Sequence, residues 1–159
     1  MRTSDVGLEL IKKNESVKRE MYRDQVGLPT IGVGHLLTKS ELSSGKIQLG
    51  GIPIRWGNGL TDVEMDTILS TDVSHAELAV NQLVHVPLIQ TEFDTLVSFV
   101  FNIGNEAFAK STLLKLLNQE KYSAVPDQMR RWVHNHEGQV LPVLVSRREH
   151  EVAMWEGRV

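Results

Sequence analysis

ESVKREMYRDQVGLPTIGVGH, residues 15–35, is the stretch that decides how the first part of this 159-residue chain folds. Its second half alternates apolar and small residues around turn-forming glycine and proline, a pattern that favours strands over a helix. Because successive side chains of a strand point to opposite faces, Ile31 and Val33 should share one face, opposite Thr30. The stretch therefore predicts a hairpin or a small sheet.

The residues before this stretch predict a helix that ends beside Glu15. Apolar side chains recur at helical spacing between Val6 and Ile11, and two lysines follow in the last turn. A helix end followed by a hairpin puts Glu15 and Asp24 in different elements. Their carboxyl groups are therefore expected to flank a cleft rather than to share one helix face.

The remainder of the chain is predicted to be mainly helical. Residues 45–59 hold five of the twelve glycines and favour loop or irregular β structure. Thr61 and Glu64 form the pattern of a capping box, and a 3/4 apolar period follows for about twenty residues. The predicted fold is α+β in a single domain, with a small β-containing lobe at about residues 13–60, a linking helix at about 61–84, and a helical lobe at about 85–159 on which residues 1–12 pack.

Composition limits the classes of partner. With 17 basic and 20 acidic residues the net charge is −3, and neither terminus carries a basic run, so nucleic acid is disfavoured. The absence of cysteine excludes thiolate metal sites, and His134 and His136 lack further clustered ligands, so no metal and no cofactor are expected. No apolar run has the length of a signal peptide or a membrane span, and we expect a monomer that does not insert into membranes.

Glu15 and Asp24 are candidates for the two carboxyl groups of a glycoside hydrolase. One such group protonates the leaving oxygen, and the other activates water or attacks the sugar. Their spacing of nine residues is weak support by itself, because two solvated surface acids explain most such pairs. The residues around the pair carry more information.

Glu15, Asp24 and the TIGVGH run at residues 30–35 together resemble the signature of the phage-type, T4-like lysozymes, the muramidases of glycoside hydrolase family 24. The resemblance extends over nearly the whole chain, and it implies a lysozyme-like fold. It continues through GHLLTKS at residues 34–40, FNIG at 101–104, STLL at 111–114, and the Arg147, Arg148 and Glu151 pattern.

The resemblance assigns the catalytic roles. It implies that Glu15 is the general acid, that Asp24 holds the attacking water and that Thr30 helps to position this water, in an inverting reaction. Relatives commonly have glycine where Ser16 stands here, so either Ser16 adopts a costlier left-handed geometry or the helix before it ends differently. At Val143 and Ser146 relatives commonly have glycine and asparagine.

The resemblance also implies substrate-binding residues. Asn102 is the better candidate for a saccharide contact. Phe101 and Leu36 are further candidates, and for both of them packing in the core is the alternative.

His35 is expected to have a structural role, although histidine titrates near neutral pH. In the family the matching histidine pairs with a carboxylate on the long helix, and Asp72 stands at the matching place. Arg147 and Arg148 are interpreted as members of solvated helix pairs rather than as catalytic groups.

The function implied by the resemblance is that of an endolysin from a tailed phage or prophage. Such an enzyme hydrolyses the β-1,4 bond between N-acetylmuramic acid and N-acetylglucosamine in peptidoglycan. It is expected to accumulate in the host cytoplasm and to act on the periplasmic wall once a holin has permeabilised the membrane. A lytic transglycosylase, or a non-catalytic wall-binding or virion module on the same fold, is the alternative.

Overall fold

A three-stranded antiparallel sheet carries most of residues 15–35 in the computed structural model, which describes residues 1–159. The helix α1 (Asp5–Asn14) precedes β1 (Val17–Arg23), which pairs with β2 (Pro29–Val33). The two-residue strand β3 (His35–Leu36) pairs with the other edge of β2. The central strand β2 thus lies between the two segments that flank it in the sequence.

The burial of β2 differs from the predicted alternation. Thr30, Ile31, Gly32 and Val33 are all buried, so both faces of this strand are covered rather than one. In contrast β1 is almost entirely exposed, and its register against β2 shifts between Lys18 and Tyr22. Because an exposed, charged edge strand has no apolar alternation, periodicity did not predict β1.

The glycine-rich segment that follows forms a second hairpin. The short helix α2 (Lys39–Ser44) ends at Gly45, and β4 (Lys46–Leu49) pairs with β5 (Ile52–Arg55) through a turn at two glycines with positive φ. The prediction of loop or irregular β structure for residues 45–59 is therefore confirmed, and α2, which precedes that range, was not predicted. The helix has a capping box of its own, in which the Thr38 side chain accepts from the Glu41 amide.

The chain forms two compact units. The sheet unit is Lys12–Asp72, and the helical unit consists of Met1–Ile11 and Val73–Val159. Apolar side chains from both hairpins and from the start of α3 (Asp62–Leu83) form one core in the sheet unit: Ile31, Leu37, Ile47, Leu60, Met65 and Ile68.

The long helix α3 begins where the sequence predicts. Thr61 and Glu64 form both hydrogen bonds of the capping box, with the Glu64 amide donating to Thr61 Oγ1 at 3.2 Å and the Thr61 amide donating to Glu64 Oε1 at 3.0 Å. The prediction of this cap is confirmed.

Measured against the length and apolarity that a membrane crossing requires, every helix of the protein falls short.

The helical unit is built around α4 (Gln90–Ile103), which is buried from Phe93 to Val100 and packs against α8 (Pro142–Trp155). Thr91 and Asp94 have the spacing of a capping box, but the helix does not begin there. The Glu92 carboxylate caps the helix by accepting from the Ile89 amide, while Asp94 is buried and accepts from the Ser4 amide. The other helices are α5 (Asn105–Ala109), α6 (Thr112–Leu117) and α7 (Val125–Arg130).

Candidate active site

Asp24 lies in the turn between β1 and β2, where local hydrogen bonds hold it. Its Oδ1 accepts from the backbone amides of Val26 and Leu28, both at 2.9 Å. Its own amide donates to the Leu28 carbonyl at 3.0 Å, which closes the turn. No hydrogen bond within the chain reaches Oδ2, so one carboxylate oxygen anchors the turn and the other is available.

Thr30 is held by Leu28, the same turn residue that contacts Asp24. Its hydroxyl donates to the Leu28 carbonyl at 3.0 Å, and its side chain is buried. In the sheet Thr30 pairs with Tyr22 on one side and with Leu36 on the other. Because its one proton is already donated, the hydroxyl oxygen of Thr30 can act towards a water molecule only as an acceptor.

Glu15 directly follows the last residue of α1, as the sequence predicts. Its half-buried carboxyl group packs over Gly34, where the methyl carbon of an alanine would lie 2.7 Å from Glu15 Oε2. Gly34 also has a φ of +65°, a conformation that side chains disfavour. Both the space for the carboxyl and the turn into β3 therefore require glycine at this position.

Ser16 does not adopt a left-handed conformation, because Glu120 is the one non-glycine residue with positive φ. The helix ends at Asn14 and the chain passes directly into β1, so glycine is not needed here. Val143 needs none either, since it lies exposed in the first turn of α8. The departures from the family at these two positions thus cause no backbone strain.

Tyr22 lies within the electrostatic influence of both Glu15 and Asp24. The pKa of its phenol is raised, first by partial burial and then by the charge of Glu15. The charge of Asp24 acts in the same direction, while a side-chain hydrogen bond with Ser16 opposes the shift. The fold therefore brings Glu15 and Asp24 near the same phenol from two different elements.

His35 lies between two carboxylates. Its Nδ1 is 2.7 Å from Asp72 Oδ2 and its Nε2 is 3.1 Å from Glu41 Oε2. Burial acts against the imidazolium, but the hydrogen bonds and charges of Asp72 and then of Glu41 outweigh it, and the pKa of His35 is raised above its ordinary value of 6.5. Both ring nitrogens are thus occupied by structural contacts.

Sequence reasoning missed Glu41 as the second partner of His35. The available signal was the Thr38-x-x-Glu41 spacing, which predicts a capping box and places the Glu41 side chain back at the helix start. Glu41 Oε2 indeed accepts from the Thr38 amide at 2.9 Å as well as contacting His35. One carboxylate therefore caps α2 and holds the histidine.

Of the three residues expected to bind substrate, one belongs to the sheet unit and two belong to the helical unit. Leu36 belongs to the sheet unit, and its side chain is 49% exposed beside Thr30 in the sheet, so it is not a core leucine. Phe101 and Asn102 belong to the helical unit and are half-buried in the last turn of α4. The Asn102 Oδ1 accepts from Arg148 Nη2 at 2.6 Å.

The interpretation of Arg147 and Arg148 as solvated pairs is wrong. Both are buried on α8 around the fully buried Glu151, with Arg147 Nε 3.4 Å from Glu151 Oε1 and Arg148 Nε 2.8 Å from Glu151 Oε2. Glu151 Oε1 also accepts from the Ser98 hydroxyl at 2.8 Å. The i, i+3 and i, i+4 spacing indicated the pairing, but it carries no information about burial.

An acid at a helix end and a second acid held in a hairpin turn beside a buried threonine, on an α+β fold, define a lysozyme-like glycoside hydrolase. The family model described as phage lysozyme matches residues 12–151, which is most of the chain. The chain therefore belongs to the phage lysozyme family.

Individual relatives agree with this assignment. The endolysin of Salmonella phage P22 is 36% identical over 155 residues, covering 98% of each chain. Among solved structures, the endolysin of Escherichia coli O157:H7 phage FAHEc1 superposes with a TM-score of 0.82 at 32% identity, covering 100% of this chain and 96% of the other. The muramidase domain of SpmX from Asticaccaulis excentricus superposes with a TM-score of 0.78 at 34% identity, covering 97% of each chain.

Replacing Gly34 with alanine is expected to displace the Glu15 carboxyl. The strained backbone should lower the free energy of unfolding by about 1–2 kcal/mol, and a displacement of the carboxyl by about 1 Å should lower activity about 10²-fold. Wall-lysis rates per folded molecule and urea unfolding curves measure the two effects.

Gly45→Ala is the matched control for this variant. Gly45 has a φ of +70° in the same unit, but nothing lies within 4 Å of the position a methyl group would take. This variant should lose a similar amount of stability and keep its activity. Equal losses of activity in the two variants would show that Gly34 matters only through its backbone.

Replacing His35 with asparagine is expected to cost about 1–3 kcal/mol of stability at low pH, through two charge-assisted hydrogen bonds. Because the pKa of His35 is higher in the folded than in the unfolded chain, this contribution is complete below pH 6.5 and is lost as the pH rises through the folded value. Urea unfolding of the two proteins between about pH 5.5 and about pH 9 measures the difference.

The control for this pH series is His136→Asn, because His136 is exposed and makes no hydrogen bond through its side chain. The free energy of unfolding of the His136→Asn variant should equal that of the unmodified protein at every pH of the series. A cost of His35→Asn that is constant across the series would contradict the charged pairing.

Proposed function

We propose that this protein is an endolysin muramidase, which hydrolyses the β-1,4 bond between N-acetylmuramic acid and N-acetylglucosamine in bacterial peptidoglycan. The observation that carries the proposal concerns the Asp24 carboxylate. Its Oδ1 accepts two backbone hydrogen bonds, while its Oδ2 has no hydrogen-bond partner within the chain. The names of two relatives support it, since the P22 protein is an endolysin and the SpmX domain is a muramidase.

The proposed reaction inverts the configuration at the anomeric carbon. Glu15 gives its proton to the glycosidic oxygen as the bond from that oxygen to the anomeric carbon breaks. A water molecule attacks the same carbon from the opposite side and passes its proton to Asp24. Glu15 thereby loses one proton and Asp24 gains one, and no covalent bond to the protein forms.

The hydrogen bonds around Asp24 and Thr30 suit the attacking water. Asp24 Oδ2 accepts only, and Thr30 Oγ1 has already donated its proton to the Leu28 carbonyl. A water between them would have to donate both of its hydrogens, one to each oxygen. Its lone pairs would then be free for the sugar carbon, as attack on that carbon requires.

Substrate binding is proposed for three further side chains. Leu36 offers an exposed apolar surface beside Thr30, and Phe101 offers part of an aromatic ring. Such surfaces suit the C–H faces of pyranose rings. Asn102 offers a polar group that can bond to an oxygen of the substrate.

Glu15→Gln and Asp24→Asn test the proposal. Each variant keeps the shape of its side chain and removes the proton donor or the charged acceptor, so lysis of outer-membrane-permeabilised Gram-negative cells should fall about 10²–10⁴-fold. Glu20→Gln, on the exposed face of β1, is the control and should lyse cells at the unmodified rate.

The products distinguish the proposal from its alternatives. Mass spectrometry should find that each cut adds one water to the released muropeptides. Products with a 1,6-anhydro sugar would instead identify a lytic transglycosylase. Unchanged lysis by Glu15→Gln, with the variant folded, would leave only a non-catalytic role.

The proposal includes the route to the substrate. The protein would accumulate in the host cytoplasm as a monomer and reach the periplasmic wall when a holin opens the membrane. Expressed alone in a Gram-negative host it should leave the cells intact, and co-expression with a holin should cause lysis. Culture turbidity with and without the holin measures this, and lysis by the protein alone would contradict the holin requirement.

A further inference from the structure

Arg148 connects the buried charges of α8 to the end of α4. Its guanidinium is fully buried, with Nε 2.8 Å from Glu151 Oε2 and the Phe99 ring centroid 5.0 Å from its central carbon. Its Nη1 donates to the Trp132 carbonyl at 3.3 Å, and its Nη2 donates to Asn102 Oδ1 at 2.6 Å and to Glu151 Oε1 at 3.4 Å. The planar group is therefore held by an ion pair with Glu151 and by hydrogen bonds through both terminal nitrogens.

These contacts determine which way the Asn102 carboxamide faces. Arginine has no acceptor, so the atom that meets Nη2 must be the amide oxygen and not the amide nitrogen. The bond is charge-assisted and short, which makes the flipped orientation costly. The NH₂ group of Asn102 consequently points away from Arg148, and it makes no hydrogen bond within the chain.

Stability alone is a weak reason for this buried cluster. Removing two charges from water costs several kcal/mol per ion, and apolar replacements of whole buried ion pairs are often neutral or stabilising. An arrangement of this kind instead suits a role in which one side chain must be held in one orientation.

We propose that Arg148 is a positioning residue for substrate binding, which holds Asn102 so that its NH₂ group donates a hydrogen bond to an oxygen of the peptidoglycan. The proposal rests on the proposed function and deepens it. The acceptor is an oxygen of the glycan strand or of its peptide stem, since both carry carbonyl groups of the same hydrogen-bonding chemistry. In this proposal Arg148 acts through Asn102, as a positioning residue.

Asn102→Asp tests the donor. The replacement keeps an oxygen facing Arg148 and the shape of the side chain, but it exchanges the outward NH₂ for an acceptor. KM should rise about five- to tenfold with kcat nearly unchanged, as expected when one hydrogen bond to the bound substrate is lost. The assay is run on intact peptidoglycan and on glycan strands stripped of their peptides, and a KM effect that disappears on the stripped strands identifies the stem as the acceptor.

A double-mutant cycle of Arg148→Lys and Asn102→Ala tests the positioning role. Lysine keeps the charge beside Glu151 but cannot reach Asn102 and the Trp132 carbonyl in one plane. Arg148→Lys should raise KM severalfold when Asn102 is present and should have no further effect on KM in the Asn102→Ala protein. Arg130→Lys, which alters an exposed pair with Glu149, is the control and should not change KM in either background.

Rates are expressed per folded molecule, with the folded fraction taken from thermal unfolding. The proposal is overturned if Arg148→Lys raises KM by the same factor in both backgrounds, or if Asn102→Asp keeps the unmodified KM. Should Arg148→Lys fail to fold, Arg148→Gln, which also lacks the planar guanidinium, takes its place in the same cycle. An unmodified protein that releases no reducing ends would instead refute the proposed function.

Discussion

The close approach of Glu15 to Gly34 is the contact on which the sheet unit depends. A side chain at residue 34 would occupy the place of the Glu15 carboxyl, and the φ of +65° there turns the chain from β2 into β3. The same glycine therefore leaves room for the acid at the end of α1 and directs His35 towards its two carboxylate partners. The position of the Glu15 carboxyl and the connection between the strands both depend on the missing side chain at Gly34.

The hairpin turn shows how backbone groups fix the orientation of the Asp24 carboxylate. Two amides hold Asp24 Oδ1, and the Leu28 carbonyl receives both the Asp24 amide and the Thr30 hydroxyl. These bonds are local, so the geometry does not depend on flexible side chains. Groups that are held before the substrate arrives need little reorganisation during the reaction.

Each unit contains a buried or half-buried charge cluster with a structural task. In the sheet unit His35 joins α2 to α3 through Glu41 and Asp72, and in the helical unit Glu151 holds Arg147 and Arg148 beside α4. In both clusters every charged group has an opposite charge in contact, as burial requires. The clusters differ in their dependence on pH, because only histidine titrates near neutral pH.

The sequence by itself determined what depends on neighbours in the chain. Capping signals and apolar periods predicted α3 and its start, and the pattern of residues 15–35 predicted the hairpin, because these features act over a few residues. The roles proposed for Glu15 and Asp24 came from a family resemblance, since their spacing alone is weak support. Only the tertiary structure decided that β2 is covered on both faces, that Glu41 contacts His35, and that Arg148 is buried against Asn102. The physical reason is that spacing along the chain tells which residues share a face, whereas burial and the choice of partner depend on segments distant in sequence.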